Sequence, residues 1–159
     1  NAYFFVALRG EEVIGTSAFI VRKMNKWWAR NKKVIYTCGD SVIPEFKGTD
    51  VYTDLLALRA KFIEETGIRI MWFDTAEDNK LVQKLTMKKG AKKVQLYASS
   101  KTWYYSVVMV KWMDGCPYSD WYCNFRFKLS SFIVKLIWKP GKKVRFLPPY
   151  GNPKPHEIH

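Results

Sequence analysis

VIYTCGDSVIPEFKG (residues 34–48) runs straight into TDVYTDLLALRAKFIEETG (49–67), IRIMWF (68–73) and, after a short polar link, NKLVQKLTMKKGA (79–91). The first piece reads as a β-branched strand over 34–42, with Gly39 marking a bulge or a close approach to the backbone. Across 51–66 the apolar positions Val51, Leu55, Leu58, Phe62 and Ile63 recur at three-to-four-residue spacing, and Gly67 supplies a stop. That pattern predicts a helix with one buried face. Residues 68–73 form a near-continuous apolar run of strand length, as expected when both faces of a partly parallel sheet are covered. Asp78 or Asn79 then caps a second helix, with Leu81, Val82, Leu85 and Met87 on its apolar side and Gly90 at its end.

Working outward, 3–8 and 13–21 are aromatic and β-branched, separated by the polar residues 9–12, and read as a β-hairpin. Residues 24–33 interleave Trp27 and Trp28 with basic side chains and predict an exposed loop that contacts a partner. Strands are expected at 92–97 and 103–112. The order β-β-β-α-β-α-β-β predicts an α/β sandwich, of the α+β kind, with a mixed central sheet flanked by helices. Beyond 112 the composition changes. A helix capped by Ser119 or Asp120 places Trp121, Phe125, Leu129, Phe132, Ile133 and Leu136 on a broad apolar side, expected to cover the sheet or a second subunit. Pro140-Gly141 ends it ahead of a basic, Pro-rich tail.

The 159 residues, 48% hydrophobic and 16% aromatic, suffice for one core and exclude a disordered chain. Twenty-seven Lys and Arg against fourteen Asp and Glu give +13, which attracts anions of any kind: nucleic acid, anionic lipid or a phosphorylated cofactor. Most of these lysines are expected simply to solvate helix faces. Cys38, Cys116 and Cys123 are odd in number and irregularly spaced, against a disulfide framework and in keeping with the cytoplasm. No His accompanies them, so no metal site is expected. No apolar stretch is long enough to span a bilayer, which predicts no membrane span.

From residue 1 to 112 the layout resembles the GNAT superfamily of N-acetyltransferases, through the strand ending Val42-Ile43-Pro44-Glu45-Phe46-Lys47-Gly48, the helix after it, the second parallel strand, and Asn79 followed by Gly90. The resemblance implies a GNAT-like domain over 1–112 with an extension over 113–159. It also implies an upstream strand and helices preceding residue 1. The implied function is acetyl transfer from acetyl-coenzyme A to a primary amine of unknown identity, with no metal. Its implied cofactor contacts are Val42 and Ile43 at the strand end, the loop Lys47, Gly48, Thr49, Asp50, Val51 and Tyr52 at the positive end of the helix, and Asn79. Asp40 and Glu45 are the candidate bases. Tyr97 is a candidate acid, since Thr86 stands where many members carry a Tyr.

Departures from the family pattern motivate an alternative. Asp50 and Tyr52 occupy positions that are usually small, so a carboxylate and a ring sit where phosphates are expected. Asp50 capping the helix with no ligand is the competing reading. The alternative function is therefore a catalytically impaired GNAT-fold binding module for an anionic partner, nucleic acid or protein, through the Trp27-Trp28 loop and the tail. Nucleic acid is not favoured over acetyl-coenzyme A. A homodimer is left open, as is the last helix lying on an anionic membrane.

Overall fold

A computed structural model describes residues 1–98 and 105–138. Its strands are β1 (Ala2–Arg9), β2 (Glu12–Met24), β3 (Lys32–Val42), β4 (Ile70–Ala76), β5 (Lys92–Ala98) and β6 (Tyr105–Trp112). Among the described residues three helices, α1 (Val51–Glu65), α2 (Lys80–Lys88) and α3 (Asp120–Ile137), join one 3-10 turn at Pro44–Phe46. The strands form one mixed sheet in the order β1-β2-β3-β4-β6-β5, antiparallel except for the β3–β4 pair. The expected element order is therefore observed. Trp103 and Tyr104, expected in the last strand, and the Pro-rich tail lie outside the described residues.

Neighbouring strand residues point to opposite sides of the sheet, and the core divides accordingly. Phe5, Phe19 and Ile35 face α1 and pack on its Leu55 and Ile63. Val34, on the other side, joins Trp28, Ile70, Val108, Val110 and Trp112. Gly15 sets how closely α1 approaches: an added Cβ would lie 2.9 Å from Leu55 Cδ1 and 3.1 Å from Val51 Cγ1. The β5 edge is closed by α3, where the Leu96 N–H donates to Ser130 Oγ at 2.9 Å and Phe127 and Val134 pack on Leu96, Val107 and Met109. Covering this edge removes a template for pairing with another chain.

Four local expectations are corrected. On α1, Leu58 and Phe62 of the expected buried face are exposed, at 44% and 39%. Trp28 is 2% exposed and sits in the core, its carbonyl accepting from Trp112 Nε1 at 3.3 Å; half-buried Trp27 packs edge-on against Tyr118 and Tyr122. The Trp27-Trp28 segment is structural, because a basic surround does not prevent two indoles from turning inward. On α2, Leu81, Leu85 and Met87 are exposed and Gln83 is buried. Its Nε2 donates to the carbonyls of Ala76 and Glu77, both at 2.9 Å, which ties α2 to the end of β4. On α3, the six residues of the expected inward side are all exposed, and Cys123 with its turn neighbours packs inward instead.

Candidate functional site

The parallel pair β3–β4 is joined only at Ile35–Met71 and Tyr36–Trp72. Beyond that point β3 continues through 37–42 against β2 and β4 through 73–76 against β6, so the two strands diverge into a fork. An unpaired strand edge leaves backbone donors and acceptors unmet, and these are what a slender polar ligand can bond. At its far end the Ile43 N–H donates to Ile14 O at 3.0 Å, and Val42 faces Gly15. Since paired residues alternate along an antiparallel ladder, the Val42 peptide groups turn away from β2, toward the fork. Ile43 spends its own donor on β2.

The loop from the fork to α1 contains Lys47, exposed, and Gly48 at φ +85°, the left-handed region that glycine adopts without strain. Nothing lies within 4 Å of a Cβ added there. Thr49 Oγ1 donates to Phe46 O at 2.6 Å and closes the turn. Asp50 occupies the N-cap position of α1 but makes no side-chain capping bond. The first amides of α1, from Val51 onward, have no partner within their own helix. Tyr52 stands half exposed beside them, its phenol raised by burial first and then by Asp40.

Three strands bring one carboxylate and two phenols together at the fork point. Tyr36 Oη on β3 donates to Asp74 Oδ1 at 2.8 Å, and Tyr97 Oη on β5 donates to Asp74 Oδ2 at 2.6 Å. Tyr97 pairs with Ser106 on the intervening β6, and Tyr36 stacks on Trp72 with ring centroids 4.3 Å apart. Burial, followed by the bond to Asp74, raises both phenols, Tyr97 to about 12. The folded state thus favours neutral phenols. Their contribution to stability is complete below pH 10, the ordinary phenol value, and is lost as pH rises through the folded values: for Tyr97 from about pH 10 to 12, where only the unfolded chain ionises, and for Tyr36 higher still. An ultraviolet titration is expected to show Tyr36 and Tyr97 ionising late, together with unfolding; Asp74→Asn brings the ionisation of these two to lower pH.

Other candidates are placed differently. Asp40 forms an ion pair with Arg59 on α1 and accepts from Ser17 Oγ at 2.7 Å, so its carboxylate is committed under that helix. Glu45 is exposed in the 3-10 turn. Asn79 caps α2, its Oδ1 accepting from Val82 N at 3.3 Å. Thr86 donates into its own helix, to Val82 O at 2.8 Å. Cys38 remains a thiol, raised mainly by burial and then by Asp40. Among the described residues no group of three or more His, Cys, Asp or Glu is arranged to hold a metal. Asp74 and Tyr36 were missed in the sequence; the available signal was a carboxylate directly after the apolar run 68–73.

No family model matches the chain, and no curated protein matches it. Solved structures do. One is a protein assigned to the GNAT acetyltransferases from Desulfovibrio desulfuricans, with a TM-score of 0.55 at 13% identity, covering 70% of this chain and 69% of that one. A second is the NatC complex bound to Gag peptide and CoA, with a TM-score of 0.54 at 9% identity, over 69% and 70%. The IAA acetyltransferase from Bacillus cereus aligns with a TM-score of 0.53 at 14% identity, over 70% and 77%. The chain has the GNAT N-acyltransferase fold.

Proposed function

We propose that this protein transfers an acetyl group from acetyl-coenzyme A to a primary amine. The observation that carries the reading is the fork, two parallel strands paired at two positions and then parted. The pantetheine arm would lie along its open edge, with the Val42 peptide as a partner. Lys47, Gly48 and the first amides of α1 would receive the pyrophosphate, favoured by the helix dipole. Asp50 and Tyr52 are the part of the site that fits least, since one adds a negative charge and the other adds bulk. Bound there, the cofactor supplies an activated acyl carbon.

This chain's own residues would do the rest. The amine nitrogen bonds to the acyl carbon, the carbon–sulfur bond breaks, and the departing sulfur leaves as thiolate. Asp74 takes the proton that the amine must lose, directly or through water. Tyr36 and Tyr97 hold both carboxylate oxygens in place for that transfer. Holding amine and thioester together in the fork supplies a large share of the rate without a strong acid. The binding-module alternative loses part of its expected contact surface, because Trp28 is buried and offers no face for stacking.

Calorimetric titration with acetyl-coenzyme A tests the reading: saturable binding is expected, and silence up to millimolar ligand ends it. The same titration tests the loop. Asp50 is exposed, and Asp50→Gly removes one like charge near the phosphates, worth about 1 kcal/mol at close range in the dielectric of water, so binding is expected to tighten about fivefold. An unchanged affinity would place the phosphates elsewhere.

A further inference from the structure

Helix α3 turns its most apolar side to solvent. Cys123 and Phe127 pack inward with Ser130 and Val134, and the opposite direction, at helical spacing, is filled by Trp121, Phe125, Leu129, Phe132 and Leu136. Trp121 is 71% exposed, Phe132 66% and Leu136 67%. The Trp121 and Phe125 rings stack 5.5 Å apart and 7° from parallel, making a flat aromatic plate at one end of the stripe. Farther along, a shallow groove of about 490 Å³ runs between Phe132, Leu136 and the lysines Lys128 and Lys135. A contiguous apolar face of this kind, rimmed by charge, marks a contact surface.

We propose that this face of α3 docks on the surface of an anionic lipid bilayer. Charge selects the occupant. Lys128 and Lys135 edge the stripe, Lys135 also reaching Glu77 at 2.6 Å, and Lys93 Nζ lies 5.9 Å from the Phe127 ring centroid. The sequence directly after the helix adds Lys139, Lys142, Lys143 and Arg145. A second copy would bring another chain of +13 against the same basic rim, whereas an anionic headgroup layer attracts it. Trp and Phe flanked by Lys also suit the boundary between headgroups and acyl chains. No helix among the described residues is long and apolar enough to cross a membrane, so α3 would lie in the plane of the surface.

The test is sedimentation of the whole chain with vesicles of phosphatidylcholine alone or with about one-third phosphatidylglycerol, at about 0.1 M salt. Binding to the mixed vesicles is expected, with little on the neutral ones and release at high salt. Phe132→Glu combined with Leu136→Glu changes two solvent-facing positions, so circular dichroism is expected to be unaltered. Its binding to mixed vesicles is expected to weaken at least ~10-fold. The proposal is overturned by equal binding to both vesicle types, by no binding to either, or by a double variant that binds like the parent chain. Light scattering that finds a dimer split by the same variant would assign the face to a second copy instead.

Discussion

Asp74→Asn is expected to lower kcat/KM for acetyl transfer about 100-fold or more while leaving the affinity for acetyl-coenzyme A unchanged. General-base catalysis contributes roughly two to four orders of magnitude, and an amide of the same shape cannot take up the amine's proton. The Asn side chain still fills the space between Tyr36 and Tyr97, accepting from one phenol at its carbonyl oxygen. A loss confined to turnover therefore separates chemistry from packing. Tyr36→Phe and Tyr97→Phe each remove one hydrogen bond to the carboxylate and are expected to cost about tenfold, through its orientation. Thiol release measured against a panel of primary amines provides the readout. An Asp74→Asn protein within twofold of the parent would remove Asp74 from the mechanism.

Trp28→Ala is expected to destabilise the fold by about 3–5 kcal/mol, the usual result of emptying a buried large aromatic site. Trp28 is nearly fully enclosed and packs on Trp72 with ring centroids 5.9 Å apart, and Val34, Val108 and Val110 belong to the same cluster. Against a total stability of roughly 5–15 kcal/mol, that loss is a large fraction, visible as a drop in the urea midpoint with a similar slope. An exposed contact residue would change stability by less than about 0.5 kcal/mol. The same measurement therefore decides between the indole as core and the indole as binding surface. Because Trp72 pairs with Tyr36 at the fork point, the variant is also expected to loosen the site.

The identity and order of the elements were legible because they follow from local periodicity. Val51, Leu55 and Ile63 sit one or two turns apart and end on α1's buried side, while 68–73 is too short and too apolar to be anything but an inner strand. The candidate site was legible only in part. Lys47, Gly48 and Tyr97 could be named from the chain, but the Asp74 cluster joins residues 36, 74 and 97, which no short-range pattern connects. The family resemblance points to Asp40 as a base through its place near a strand end. Its partner Arg59 is nineteen residues away and invisible until α1 folds back over β3.

Read alone, the chain determined its secondary elements and the crossover from β3 through α1 to β4, since hydrophobic spacing and Gly or Pro stops act over a few residues. Only the tertiary structure decided which groups meet. It set where β3 and β4 part, which carboxylate stands between two phenols, and which side of α3 packs. That helix carries apolar residues almost all round, so its pattern allows either side to turn inward, and the choice falls to the shape of the β5 edge it must cover.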